Sequence, residues 1–459
     1  MSHTHEQKDQ KTPALNSWAS VSHKDRQGNA LSGANPDAVE LFDKAVEAFS
    51  LYRGDPVDLL DKAIKLAPGF AMAHILKAYM FALATEPEAT AFVKQIMPQM
   101  RALSMNDRER SHLAALEKLI AGEWTAAALA LDYHNMTWPF DLAALQVGHL
   151  MDFYRANAVN LRDRIGRALP KWSQAIPGYS LVLGMHAFGL EECGDYALAE
   201  ESGKTAIDLQ PLDSWSHHAV AHVMEMQGRA HDGIEWMQAR APHWAGDDSF
   251  FQVHNWWHKA LFHIDLGQMD EAIALYDGPV RDGKSALALD LVDASALLWR
   301  LHLAGHDVGN RWGELATAWE QHADGKLYPF NDWHASMAYL GAGKESAVET
   351  ILTAYKDSAY QRVEVGSWAA GTGTLLIKGF SAFWRGNYAE AAENLHQARF
   401  ITNRFGGSHA QRDIIDLTLT EATIRGGLSH MAEALANERL TLKPHSPVNK
   451  NFLMRAKAA

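Results

Sequence analysis

One short stretch carries the densest chemistry in the chain: Trp215-Ser216-His217-His218-Ala219-Val220-Ala221-His222-Val223-Met224-Glu225. It sets His218, His222 and Glu225 at i, i+4 and i+7, which is one stripe of a helix with about 3.6 residues per turn. Val253-His254-Asn255-Trp256-Trp257-His258 repeats the imidazole pair one turn apart. Phe330-Asn331-Asp332-Trp333-His334 adds a carboxylate and a further imidazole. Neutral imidazoles and carboxylates are ligands for Zn(II), Fe(II) and Mn(II), and a His pair at i, i+4 puts two donors on one ion. The candidate metal ligands are therefore His218, His222, His254, His258 and His334. Glu225 and Asp332 are the candidate catalytic carboxylates, Glu225 as a general base or an additional ligand. A divalent ion held this way activates water or polarises a carbonyl. The enzymatic reading is thus a metal-dependent hydrolase or lyase acting on a small organic molecule. Trp215, Trp257 and Arg412 are candidate substrate contacts. The competing reading of the same residues is a buried hydrogen-bond network without metal, with the tryptophans as packing between helices.

These residues need elements to bring them together, and the chain supplies helices. From Asp37 onward apolar residues recur at helical spacing, as in Ala38-Val39-Glu40-Leu41-Phe42-Asp43-Lys44-Ala45-Val46. Four places show glycine, a large residue two further on and a small residue three beyond that: Gly122/Trp124/Ala127, Gly194/Tyr196/Ala199, Gly267/Met269/Ala272 and Gly386/Tyr388/Ala391. Gly228 is a weaker fifth. This is the turn and close-packing pattern of a tetratricopeptide repeat, whose period is about 34 residues. It predicts an all-α fold, an α-solenoid of tetratricopeptide-like helix pairs wound into a tightly curled superhelix. Residues 37–459 form that single solenoid, and residues 1–36 form a polar N-terminal arm. Taking Gly194, Gly228 and Gly267 as equivalent turns places 180–193, 214–227 and 253–266 in successive first helices of repeats. Such helices line the inner face of a solenoid, so the two His pairs lie side by side. Gly343 as a later turn puts Asp332 and His334 at the start of another inner helix, within reach if the superhelix curls inward.

Composition narrows the function classes. The formal charge is −13 and no Lys/Arg block is present, which argues against nucleic acid. No apolar run is long enough for a membrane span, and no secretory leader pattern is present. The hydrophobic content of 47 % is enough for a real core. A single cysteine, Cys193, rules out an internal disulfide and a cysteine zinc site, and fits a reducing, cytoplasmic setting. Among 24 histidines, His3 and His5 in the arm read as exposed. There is no His-Glu-x-x-His and no Walker loop. Gly371-Thr372-Gly373-Thr374 is too short to signal a nucleotide site, and self-association stays open.

Several longer segments carry a resemblance. They are Pro211-Leu212-Asp213-Ser214-Trp215 running into His218 to His222 and Glu225-Met226, and His254-Asn255-Trp256-Trp257-His258 continuing to Leu275-Tyr276-Asp277. To these are added Leu289-Asp290-Leu291-Val292-Asp293, Phe330-Asn331-Asp332-Trp333-His334, Gly406-Gly407-Ser408-His409-Ala410-Gln411-Arg412-Asp413 and Leu442-Lys443-Pro444-His445-Ser446-Pro447. On these the chain resembles the tetratricopeptide repeat protein 38 family over nearly its whole length after the arm. The resemblance implies the solenoid fold and histidines at 218, 222, 254, 258 and 334, with other residue types at 217 and 409. It implies no settled activity. A non-catalytic scaffold that binds a peptide in its groove is the alternative, since fold does not dictate function.

Overall fold

The computed structural model describes residues 23–402 and 405–458. It is an all-α solenoid of antiparallel helix pairs, with one small hairpin at its N-terminal end. Local chemistry sets the helix starts. Proline stands in the first turn of Pro36–Leu51, Pro56–Leu66, Pro87–Arg101 and Pro329–Gly341, where its missing N–H costs nothing. Side-chain oxygens of Asn35, Asp55, Asp141, Asn157, Asp213 and Ser408 accept the free N–H groups of first turns. Turns follow the repeat frame: Gly194 and Gly228 have φ of +83° and +69°, a left-handed conformation that favours glycine.

Inner helices Tyr179–Glu192, Ser214–Met226 and Gln252–Asp265 match the frame read from the sequence within a residue or so. Each is followed by an outer helix: Tyr196–Leu209, Ala230–Trp244 and the short Met269–Leu275. The series continues through inner helices Ala288–Leu303, Pro329–Gly341, Thr374–Trp384 and His409–Arg425. Pro447–Ala458 packs on the last pair, Ser429–Leu442 included.

The superhelix curls until its inner faces meet. Every residue from Ser214 to Glu225 is buried, as is every residue from Pro329 to Leu340. Helices facing an open groove keep one solvated stripe; these have none. Distant repeats are joined directly: the Trp299 indole N–H donates to the Thr418 hydroxyl at 3.0 Å, and Arg300 donates to the Ala410 carbonyl at 2.8 Å. The Asn331 amide donates to Thr85 and the Tyr328 hydroxyl to the Tyr154 carbonyl, each at 3.0 Å.

The arm differs from the loose segment expected up to Pro36. Its residues 1–22, with His3 and His5, lie outside the described residues. The rest is packed. His23–Lys24 pairs with Ala30–Leu31 in an antiparallel hairpin, and Leu31 is buried. Asn106 and Arg108 both donate to the Ala30 carbonyl, and Glu109 accepts the Ser32 N–H.

Candidate functional site

The helices Ser214–Met226 and Gln252–Asp265 lie in consecutive repeats, and the 3.6-residue period turns both His pairs toward each other. His218, His222, His254 and His258 are all buried, and one ring nitrogen of each lies within 4.8 Å of the others. His218 and His258 each touch all three other rings. The contacts are 218–222 at 4.3 Å, 218–254 at 4.9 Å, 218–258 at 4.8 Å, 222–258 at 4.4 Å and 254–258 at 4.8 Å between ring centres. His222 and His254 are the pair that the other two separate.

Carboxylates from neighbouring helices fix the ring tautomers. His254 donates from Nδ1 to Asp293, with Nδ1 2.8 Å from Oδ2, and His258 donates from Nδ1 to Glu225 at 3.0 Å. A carboxylate only accepts, so in a neutral ring Nε2 is left as a bare lone pair. The Nε2 atoms of His254 and His258 face each other at 3.2 Å, and those of His254 and His218 do so at the same distance. Nδ1 of His222 stands 3.3 Å from Glu191, and neither of its ring nitrogens has a hydrogen-bond partner within the protein. Burial favours the neutral form of three of the rings: it pushes His218 and His258 well below the ordinary imidazole range, with the adjacent imidazoles adding to the effect, and takes His222 to about 4. Neutral imidazole is the ligating form.

The structure does not bring Asp332 and His334 to this cluster. Their helix, Pro329–Gly341, is the second inner helix after Gln252–Asp265, and neither residue joins the group of donor atoms that the four histidines form. Asp332 accepts the Gly325 N–H at 3.1 Å and the Tyr355 hydroxyl at 3.0 Å, holding its own repeat together. His334 donates from Nδ1 to the Phe330 carbonyl at 2.8 Å, a contact within its own helix. Arg412 stands at the edge of the cluster. It is half-buried, donates to the Gly407 carbonyl and lies 3.6 Å from Glu192, whose carboxylate is grouped with Glu191 and His222, and Ser408 caps its helix in a capping box with Gln411. Glu225 is at the cluster, but as the acceptor for His258. The two tryptophans do flank the site. Trp257 stacks on His254 at 5.2 Å, and the Arg300 guanidinium lies over the Trp257 ring, 5.3 Å from its centre. Trp215 packs against His218 at 4.9 Å.

Glu191 was not singled out by sequence, because it stands on the preceding inner helix at no fixed spacing from either His pair. Asp293 comes from the following inner helix, Ala288–Leu303, and its geometry makes it the partner of His254. A second buried cluster, His112, His134 and Asp141, is a closed network instead. One oxygen of Asp141 accepts from Arg108 at 2.5 Å, His112 at 2.9 Å and His134 at 3.0 Å, which leaves it no lone pair for an ion.

His218 and His254 also line a cavity of about 370 Å³. Its other walls come from helices Pro36–Leu51, Ala71–Leu83 and Leu142–Tyr154, through residues such as Phe49, Met80 and Phe153. Glu225 lines a separate, water-sized cavity of about 50 Å³ with Arg300, Asp413, Arg439 and Lys443.

Taken together, the helix pairs, the glycine turns and the closed inner face define a tetratricopeptide-type solenoid with an internal histidine cluster. No protein-family model matches the chain. Among solved structures it is similar to the APC/C hetero-tetramer Cut9–Hcn1, at 12 % identity and a TM-score of 0.44, covering 92 % of this chain and 76 % of that one. It is also similar to the human IFIT1 dimer with m7Gppp-AAAA, at 13 % identity and a TM-score of 0.37, covering 93 % and 95 %. Among the described residues no helix is long and apolar enough to cross a membrane.

Proposed function

We propose that this chain is a metal-dependent enzyme of the tetratricopeptide repeat protein 38 family, in which His218, His222, His254 and His258 hold one divalent ion. The observation that carries this is the pair of Nε2 atoms of His254 and His258 at 3.2 Å. Each has its proton on the far nitrogen, so two lone pairs point at one another in a buried space. That contact is repulsive unless a metal ion or a proton is shared between them. Asp293 and Glu225 fit the carboxylate–histidine–metal arrangement, orienting the second nitrogens of His254 and His258 from behind.

Imidazole donors suit Zn(II), Fe(II) and Mn(II) alike. The four histidines would hold such an ion, and it would activate water or polarise a substrate carbonyl in hydrolytic or lyase-type chemistry. The peptide-scaffold alternative needs an open groove, and the buried faces of the inner helices argue against it.

The test is elemental analysis of protein prepared without an affinity tag. The expected result is about one equivalent of a transition metal per chain, falling below a tenth of an equivalent in His254→Ala and His258→Ala. Less than a tenth of an equivalent of any such metal in the unmodified protein, before and after reconstitution under reducing conditions, overturns the proposal.

A further inference from the structure

We infer that the molecule acted on at this centre is uncharged and mostly apolar, and that it occupies the cavity of about 370 Å³ that ends on His218 and His254. The reaction assigned to it rests on the metal reading; its binding does not.

Three observations carry the chemistry of the ligand. The walls are apolar and aromatic, with Phe49, Tyr52, Met80, Phe81, Leu150 and Phe153 surrounding the space. Removing such surface from water favours an apolar occupant at about 25 cal/mol per Å². The charged residues on the lining are already engaged. Arg53 makes two bonds to Asp248, at 3.1 and 2.5 Å, and Glu86 accepts the Ala288 N–H at 3.0 Å. Along the walls, away from the histidines, a carboxylate or ammonium on the ligand would therefore lie without a free counter-charge, which is strongly unfavourable in a low-dielectric space. The entrance is marked by Phe250 and Leu287, large apolar residues that are 48 % and 41 % exposed. Surface apolar residues at a concave opening mark where an apolar molecule enters. The volume lies near the lower end of the range for small-molecule sites, about 300–1,000 Å³.

The geometry places one end of the ligand against the imidazoles of His218 and His254 and leaves the rest in the aromatic walls. An oxygen at that end, as in an alcohol, ketone or ester, is the group that the proposed ion would reach.

The experiment uses the full chain and the neutral dye Nile red, whose fluorescence rises in apolar surroundings. Displacement by 1-decanol is compared with displacement by decanoate and by decyltrimethylammonium in chelator-treated protein, where no metal ion offers the carboxylate a partner. The expected result is dye binding at one site per chain, with decanol displacing it at least tenfold more effectively than either ion. Leu150→Trp, which fills the cavity, and Leu287→Glu, which charges its mouth and does not disturb the core, are each expected to weaken dye binding at least tenfold. Equal displacement by the charged compounds, or dye binding untouched by both substitutions, overturns the inference. His258→Ala separates the two claims, because His258 does not line the cavity. Dye binding that persists in that variant supports the apolar site whatever the metal content. A protein that holds its metal yet fails to bind the dye refutes the apolar site alone.

Discussion

At the scale of single residues, His254 and His258 are each held by a carboxylate from a helix other than their own. Asp293 holds the His254 ring with its lone pair turned inward, and Glu225 does the same for His258. Replacing such a partner in a metal site typically lowers affinity 10- to 100-fold. Asp293→Asn is therefore expected to weaken metal binding by that factor, measured by competition with a chelator, while far-ultraviolet circular dichroism stays unchanged. Asp332 makes a separate prediction. Burial pushes its carboxyl up to about 7, with Asp324 adding to the effect and the bonds from Gly325 and Tyr355 opposing it. In the unfolded chain an aspartate titrates near 3.9. Between these values the native state holds a proton that the unfolded state has lost, so stability is greatest below about pH 4 and falls as pH rises to about 7. The loss is on the order of 4 kcal/mol. Asp332→Asn is expected to remove that slope, seen as a smaller change in the denaturant midpoint between pH 5 and pH 8. Equal slopes in both proteins contradict the assignment.

At the scale of elements, the Ser214–Met226 helix is positioned by its first turn. Asp213 accepts the N–H groups of Trp215 and Ser216 at 3.1 Å and the Ser216 hydroxyl at 2.5 Å. The preceding inner helix approaches so closely that a Cβ on Gly184 would sit 2.2 Å from the Ser216 hydroxyl and 2.9 Å from Asp213. Gly184→Ala must push this cap aside, and overpacking of this kind costs roughly 1–3 kcal/mol. We expect a lower unfolding midpoint and reduced metal loading, although Gly184 touches no ligand. The helices themselves were readable from the chain, because the 3.6-residue period and the turn glycines are local signals. The two His pairs were readable for the same reason. Glu191 and Asp293 were harder, since they come from other helices at spacings set by how repeats stack. Asp332 and His334 were read onto an inner helix, and they lie on one. What no local pattern records is the curvature of the superhelix, which carries that helix away from the histidines.

At the scale of the whole molecule, that same curvature builds the pocket. Its walls come from repeats near the N-terminus and its floor from His218 and His254, so the cavity exists only while the superhelix is closed. One clasp is the buried Asn331 amide on Thr85, beside the pocket residues Ala84 and Glu86. Thr85 holds a left-handed φ of +57°, a strained conformation for a residue with a branched side chain, and the bond to its carbonyl helps to hold it there. Asn331→Ala leaves that buried carbonyl without this donor, at a cost of about 1–3 kcal/mol. Because Asn331 touches no histidine of the cluster, the metal is expected to stay while apolar ligand binding weakens several-fold. Solution scattering gives the complementary readout. A closed chain of 459 residues has a radius of gyration of about 23 Å by the scaling of compact domains, and an uncurled solenoid exceeds it well outside experimental error. The unmodified protein should match the compact value, and any expansion in Asn331→Ala should track the loss of ligand binding across a denaturant series below the unfolding transition. If ligand binding falls with no change in size, the clasp acts only on the wall beside Thr85; if neither changes, closure is held by the Trp299 and Arg300 contacts to the C-terminal repeats instead.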